Sequence, residues 1–229
     1  MDSLTYKDIK DPFLRALNLD QRASRLLARI EAGDGTYATA SEYAARVGGI
    51  MALVLRRHAP IENIAEWDID NLIPQLLGLD HGIVVHACEI VQERMNNEAR
   101  LGIRFQEPRF NGDRAYGLVE ELRNNPEFVN IQDTFYDQLA NFSQSIVDDS
   151  IRENAAVMAR AGIRSMVIRT PEYGACQWCD SVAGAFEYEE VEEKGSGVWR
   201  RHENCRCTID FITERNGGFY SESVNNFRR

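Results

Sequence analysis

Long apolar runs are absent from this 229-residue sequence. Its most apolar stretch covers residues 48–55, far short of the roughly 20 residues that a membrane-spanning helix needs. Residues 1–13 carry charges every few positions and have no apolar core, so they do not have the pattern of a secretory signal. These absences argue against membrane-spanning and secreted classes, and we expect a soluble protein that is made in a cytoplasm.

Positive charge is also in short supply. The chain has 26 lysines and arginines against 36 aspartates and glutamates, which gives a formal net charge of −10 at pH 7. A surface of that sign repels a phosphate backbone, so the composition excludes a protein that wraps nucleic acid over its whole surface. A local basic patch stays compatible with it.

Cysteine and histidine are scarce, with five and four copies, but they are not scattered. Four of the cysteines and one histidine lie in the window 176–207. In a reducing cytoplasm, clustered cysteines bind metal more often than they form disulfides, and an odd total leaves at least one cysteine unpaired. The fifth, Cys88, falls on an apolar helical stripe with Val84, Val91 and Met95, so we expect it in the core.

Hydrophobic periodicity separates a helical part of the chain from a mixed part. Apolar residues recur at helical intervals through the first hundred residues, with Asp80 as the expected cap of a helix that ends near Arg100. Two more helices are expected near 113–123 and 131–161. Three later segments have the short, β-branched or alternating pattern of strands: 163–170, 184–191 and 208–212. The sequence therefore predicts an α+β fold that is predominantly α, with an N-terminal helical region followed by a small unit of helix and antiparallel sheet.

The cysteine window has the spacing of a metal site. Cys176 and Cys179 form a Cys-x-x-Cys pair, in which a tight turn brings two thiolates to one centre, and His202, Cys205 and Cys207 follow. Structural zinc takes four nitrogen or sulfur ligands, so one of these five is surplus. Spacing favours Cys176, Cys179, His202 and Cys205, with Cys207 close behind. A site filled by protein ligands leaves no position for a catalytic water, so we expect one structural Zn²⁺ that staples the small C-terminal unit.

Other interpretations of the window stay open. The four cysteines suffice for two disulfides, and Cys176 and Cys179 have the spacing of a thioredoxin-like redox pair, although a long helix should then follow. The cysteines can also be unligated, and His202 can hydrogen-bond to a thiolate without contacting the metal.

The same window resembles the C-terminal motif of phage head morphogenesis proteins, the Mu F-like minor capsid proteins of tailed bacteriophages. The family pattern is Cys-x-x-Cys, a glycine shortly after, and then His-x-Asn-Cys-x-Cys. It is matched in order by Cys176, Cys179, Gly184, His202, Asn204, Cys205 and Cys207. Residues 141–163 also resemble the helix that precedes this motif in related proteins of Gram-positive phages and prophages. The resemblance covers roughly 105–212.

The resemblance implies a role in the virion. Proteins of this family are made with the portal and scaffold, lie inside the head in few copies, and are thought to assist head assembly or genome delivery. It implies portal, major capsid or scaffold protein as partners, a capsid interior or portal-vertex location after synthesis in the bacterial host cytoplasm, and no membrane. Some members carry a toxin or ADP-ribosyltransferase domain after the motif; since the sequence stops at Arg229, we expect none here.

A turn-rich stretch at 105–113 is the expected boundary between two regions. We expect residues 1–105 to be a helical region that contacts portal or capsid, residues 106–215 to be the Mu F-like domain with its zinc knuckle, and residues 216–229 to be a polar tail. Few sequence features link the first two regions, so we expect the metal unit to unfold separately.

A nucleic-acid-binding module built on a zinc knuckle is the alternative function, with a nuclease less favoured. Basic and aromatic residues surround the cysteines, as in proteins that contact single-stranded or packaged DNA: Trp178, Trp199, Arg200, Arg201, His202 and Arg206. A zinc-stapled adaptor that only bridges proteins is a third interpretation.

No catalytic constellation stands out in the sequence. It contains no nucleophile with a matched base, no nucleotide-binding loop and no carboxylate pair above background. The acidic neighbours Asp148 and Asp149, and Glu192 and Glu193, are expected to be solvated helix or loop faces. We therefore expect a protein without enzymatic activity.

Overall fold

The computed structural model describes residues 3–58, 67–125, 131–193, 197–202 and 205–214. These residues form α1 (Tyr6–Leu19), α2 (Gln21–Glu31), α3 (Tyr37–His58), α4 (Ile69–Ala99), α5 (Gly112–Asn124), α6 (Gln132–Arg160), β1 (Ser165–Thr170), α7 (Gln177–Ser181), β2 (Gly184–Glu187), α8 (Tyr188–Glu193), a 3-10 turn (Gly197–Trp199) and β3 (Thr208–Thr213). The predicted α+β, predominantly α class is confirmed. The predicted tail, 216–229, and Asn204 lie outside the described residues.

Capping side chains begin the first helices. Thr5 precedes α1, and its backbone N–H and hydroxyl both donate to the Asp8 carboxylate, at 2.9 and 2.7 Å. Asp20 accepts from the Ala23 N–H of α2 at 2.8 Å, and its carboxylate also pairs with Arg46 of α3. Such side chains stabilise the polar backbone groups that a helix end leaves without intrahelical partners. Asp20 therefore both begins α2 and ties it to α3.

The start of α4 differs from the prediction. The helix begins at Ile69, and Asp80 lies fully buried in its middle, where it accepts a hydrogen bond from Ser143 Oγ of α6 at 2.8 Å. Burial raises the pKa of the Asp80 carboxyl to about 7. The predicted cap was wrong because an acidic residue before an apolar stripe has the same sequence pattern whether it caps a helix or meets a hydroxyl of another helix. Cys88, on the same helix, is fully buried, as predicted.

The three strands form one antiparallel sheet in the order β2-β1-β3. In the central strand, Val167 lies opposite Phe186 of β2 and Phe211 of β3. Its successive residues Val167 and Ile168 are both fully buried, so both faces of this strand are covered, since neighbouring side chains point to opposite faces. The strand predicted over 184–191 ends at Glu187, where the chain continues as α8.

One hydrophobic core extends across the predicted boundary at residue 105. It includes residues of the N-terminal helices together with Val167 and Phe211 of the sheet, and Tyr37 of α3 packs edge-to-face against Phe211 at 6.2 Å between ring centroids. The boundary segment itself is held to α6, because Asn154 accepts from the Gln106 N–H and donates to the Gln106 carbonyl, both at 2.9 Å. The turn-rich stretch therefore does not coincide with a break in the core.

None of the described helices combines the length and the apolar character that a membrane crossing requires.

Candidate metal centre

The short helix α7 positions the first two predicted ligands. Cys176 lies at its N-cap with an extended backbone, and Cys179 lies inside the helix. The Asp180 N–H donates to the Cys176 carbonyl at 3.1 Å, which closes the turn. Cys176 is exposed and Cys179 is buried. The Cys-x-x-Cys segment thus forms the tight turn that its spacing predicts, with one thiol at the surface and one inside.

The other three candidate ligands lie in the segment that leads into β3. His202 Nε2 is 3.3 Å from Cys176 Sγ and 2.9 Å from Cys179 Sγ, and Cys179 Sγ is 3.9 Å from Cys205 Sγ. The side chains form two triads that share Cys179, one with Cys176 and His202 and one with Cys205 and Cys207; the ligand atoms of each triad lie within 4.8 Å of one another. The structure therefore brings all five predicted residues together.

This cluster could hold a metal ion. The five cysteines all lie in the described ranges and all are free. The 3.9 Å between Cys179 Sγ and Cys205 Sγ is nearly twice the roughly 2.05 Å of a disulfide bond. Three or four sulfur atoms and one imidazole nitrogen facing each other are the donors that borderline-soft transition metals prefer.

The thiols of the cluster differ in how easily they ionise. A hydrogen bond from the Cys207 thiol is the main reason that the pKa of Cys205 falls to about 4, and the positive charges of Arg201 and Arg169 lower it further. The same hydrogen bond is the main cause that raises the pKa of Cys207. Burial raises the pKa of Cys179. Because the thiolate is the form that binds metal, the surroundings favour Cys205 as a ligand.

Arg169, at the end of β1, was missed by the sequence analysis. Its Nη1 donates to the carbonyls of Val198 and Arg200, the latter at 2.8 Å, and its Nη2 donates to Cys205 Sγ at 3.4 Å. Its guanidinium carbon lies 5.4 Å from the centroid of the Trp178 ring. The sequence shows only an arginine near the end of an apolar strand. That pattern does not distinguish a buried arginine from one that faces water, as it would on an edge strand.

Asp148 was predicted to lie on a solvated face, and this prediction was wrong. It is not solvated: Arg201 Nε and Nη2 donate to its two carboxylate oxygens at 2.6 and 2.8 Å, and the two side chains are 3% and 1% exposed. Arg201 Nη1 also donates to the Cys207 carbonyl at 2.8 Å. This buried ion pair ties α6 to the ligand segment. Asp149 is half-buried, and burial raises its pKa to about 6.

Glu192 was also predicted to be solvated, and it is instead a bridging residue. It accepts from Trp199 Nε1 at 3.1 Å and from Arg152 Nε and Nη2 of α6 at 3.1 and 3.0 Å. The side chain of Glu193 lies outside the described residues. The prediction for Asp148 was wrong because its partner Arg201 lies 53 positions away, beyond any local sequence pattern. Glu192 keeps 30% of its side chain exposed, and its partner on α6 lies 40 positions away, whereas Trp199 is seven positions away.

The basic and aromatic residues around the cluster are mostly engaged within the protein. Arg206 pairs with Asp137 of α6 at 3.1 Å, while Arg200 is exposed. Trp178 is 38% exposed and packs edge-on against the imidazole of His202 at 5.5 Å between centroids. Asn141 of α6 donates to the His202 carbonyl at 3.0 Å. Most of the predicted patch thus supports the candidate metal centre.

Gly184 of the motif has a conformational reason to be glycine. Its φ is +149°, a backbone conformation that side chains disfavour. A Cβ atom there would also approach Phe186 Cζ to 2.9 Å. Gly184 begins β2 directly after the turn that follows α7.

Comparison of the chain with known protein families, with curated proteins and with solved structures gives no match.

Proposed function

We propose that this chain is a non-enzymatic minor capsid protein of a tailed phage or prophage, whose C-terminal part is held together by one structural Zn²⁺. The observation that carries the zinc part of the proposal is the convergence of Cys176, Cys179, His202, Cys205 and Cys207. The virion part is supported by the sequence motif that these residues compose.

Zinc fits the donor set and its spacing. With Zn–S of about 2.3 Å and Zn–N of about 2.0–2.1 Å, the edges of a tetrahedral site are about 3.8 Å between two sulfurs and about 3.6 Å between sulfur and nitrogen. The Cys179–Cys205 distance of 3.9 Å agrees with the first value. The His202 nitrogen, at 3.3 and 2.9 Å from Cys176 and Cys179, needs an outward shift of less than about 1 Å.

These distances support Cys176, Cys179, His202 and Cys205 as the four ligands. Cys205 and Cys207 both belong to the triad with Cys179, and neither is grouped with His202. Cys205 is favoured over Cys207 because its sulfur accepts a hydrogen bond from Arg169. Four protein ligands leave no open coordination position for a substrate or a catalytic water, so the bound ion supplies folding free energy and no chemistry.

The proposed virion role assigns partner contacts to the helical region. A protein that assists head assembly or genome delivery needs a stable body and a surface for the portal, the major capsid protein or the scaffold. The helices before residue 105 form one core with the sheet, so a partner that binds them would bind a body that the metal stabilises. Gene neighbourhood gives a direct test: portal and scaffold genes beside this gene are expected, and their absence would count against the role.

The contacts around the cluster favour this proposal over the nucleic-acid-binding alternative. Arg201 is buried in its pair with Asp148, and Arg206, whose side chain is 37% exposed, has its charge paired with Asp137. Arg200 is exposed. A duplex needs several solvent-facing cations for tight sequence-independent binding.

Elemental analysis tests the zinc part. Full-length protein purified without chelator is expected to carry about one Zn²⁺ per chain. Cys179→Ser should lose that zinc, whereas Cys88→Ser should keep it, because Cys88 lies on α4 away from the cluster. A wild-type chain that is folded, free of metal and reduced would refute the zinc site.

A further inference from the structure

Arg169 is an unusual residue for the central strand of a small sheet. It is 0% exposed and has the largest side chain among the fully buried residues. A guanidinium is always charged and is almost never buried without a compensating negative charge, because desolvation costs several kcal/mol. We therefore expect a negatively charged group beside the Arg169 guanidinium.

Among the described residues, no carboxylate supplies this negative charge to Arg169. Two of its hydrogen-bond acceptors are the neutral carbonyls of Val198 and Arg200, and no carboxylate of a described residue lies within ion-pair distance. The remaining acceptor is Cys205 Sγ, at 3.4 Å. Arg201, the other buried arginine at the cluster, already has Asp148 as its counter-charge.

We propose that Arg169 is the built-in counter-charge of the metal centre and that it sets the ligand composition at three thiolates and the imidazole of His202. This inference rests on the zinc site proposed above. It goes beyond that proposal because it assigns a task to a residue that does not contact the metal, and because it gives an electrostatic reason for three cysteines and one histidine.

Charge counting gives the composition. Zn²⁺ with three thiolates and a neutral imidazole carries one net negative charge, which the Arg169 guanidinium cancels. Four thiolates would carry two. Because Cys179, Cys205 and Cys207 are all buried, a fourth thiolate would add a buried charge that Arg169 does not cancel, which is costly. Arg201 and Asp148 cancel each other in either case. With Arg169 as the counter-charge, the centre is neutral only with three thiolates, and of these the Cys176 sulfur lies at the surface.

Arg169 also holds its positive charge next to one ligand sulfur. The bond to Cys205 places a donor on one ligand sulfur, and the two carbonyl bonds hold the backbone just before His202. The ring of Trp178, which neighbours Cys179 in sequence, covers the guanidinium. One arginine thus contacts the segments that carry both halves of the ligand set. Groups that orient metal ligands in this way change metal affinity by about 10–100-fold when they are removed.

X-ray absorption at the zinc edge of the wild-type holoprotein tests the composition. The expected first shell contains three sulfurs at about 2.3 Å and one nitrogen at about 2.0–2.1 Å. A shell of four sulfurs would overturn the inference while leaving the zinc site standing. A protein that binds no zinc at all would instead refute the proposed function, so the two failures are distinguishable.

Arg169→Met and Arg169→Lys test the charge itself. Competition with a chromophoric chelator should show zinc affinity about 10–100-fold weaker in Arg169→Met, with partial recovery in Arg169→Lys, which restores the charge but not the planar fork. Arg164→Met is the matched control, because it removes an exposed arginine of the same segment whose partners are Glu187 and Glu214, and its zinc affinity should equal that of wild type.

Two results would contradict the assignment. One is wild-type zinc affinity in Arg169→Met. The other is equal loss in Arg169→Met and Arg169→Lys, which would indicate a purely steric role. If Arg169→Met does not fold, Arg169→Lys and the wild-type absorption spectrum still decide the matter.

Discussion

Replacing Asp148 with alanine should destabilise the whole protein, because it leaves Arg201 charged and unpaired inside the structure. The pair has two hydrogen bonds of 2.6 and 2.8 Å, and both side chains are almost completely buried. Removing one partner of such a pair costs about 3–5 kcal/mol. That is a large fraction of the roughly 5–15 kcal/mol by which folded proteins are stable.

Urea unfolding at fixed zinc concentration measures this cost. With a slope of about 2–3 kcal/mol per molar urea, the midpoint should fall by about 1–2 M. Asp137→Ala is the matched control: it breaks the Arg206–Asp137 pair between the same two segments, but those side chains are 35% and 37% exposed, so about 0–1 kcal/mol is expected.

The unfolding curve should also show that the protein unfolds in one cooperative transition. Because Asp148 belongs to α6 and Arg201 to the ligand segment, far-UV circular dichroism and tryptophan fluorescence should report one shared transition that moves as a unit. The double variant Asp148→Leu with Arg201→Met should recover most of the loss, since it removes both charges. Equal effects of Asp148→Ala and Asp137→Ala, or a loss seen by fluorescence alone, would refute the reasoning.

Three other substitutions test a buried carboxyl, a buried thiol and a proposed zinc ligand. Asp80→Asn should stabilise the protein by up to about 4 kcal/mol at pH 8 and change its stability little at pH 4. The pKa of Asp80 is raised to about 7 in the folded protein, against about 3.9 in the unfolded chain. The wild-type protein therefore has its full stability below about pH 3.9 and loses part of it as the pH rises through about 7, because the buried carboxyl then ionises. Denaturant titrations at both pH values check this, and a difference independent of pH would contradict it. Cys88→Ser should cost about 1–3 kcal/mol with or without chelator, because it places a hydroxyl in the core. Cys176→Ser should cost several kcal/mol with zinc and little once a chelator is present, as thermal unfolding can show; a Cys176→Ser cost that persists in chelator would point to a role in packing.

Features that depend on local spacing were predictable from the sequence. A Cys-x-x-Cys turn needs only four consecutive residues, and the turn around Cys176 and Cys179 forms as expected. The helix expected near 131–161 runs from Gln132 to Arg160, because apolar periodicity is also a local property. The α+β class followed from the change of period after Gly162.

Charged residues were the main source of error, because a sequence does not say what a charge meets. Asp80, Asp148 and Glu192 follow the sequence pattern of a cap or a solvated face. Each nevertheless has a partner on another helix or segment, 63, 53 and 40 positions away, respectively. Arg169 lies next to the end of β1, and the groups that enclose it come from later segments: the carbonyls of Val198 and Arg200, the Cys205 sulfur and the Trp178 ring. Pairing across such distances is decided by packing.

By itself, the sequence determined the class of fold, the turn that joins Cys176 to Cys179, and the five residues that could bind a metal, because each depends on spacing along a few residues or on overall composition. Only the tertiary structure decided that these residues share one centre, that Arg169 and Arg201 lie buried beside it, and that the core continues across residue 105. The physical reason is that burial creates the need for a partner: a charge in water is satisfied anywhere, whereas a charge inside the protein is stable only beside the group that the fold brings to it.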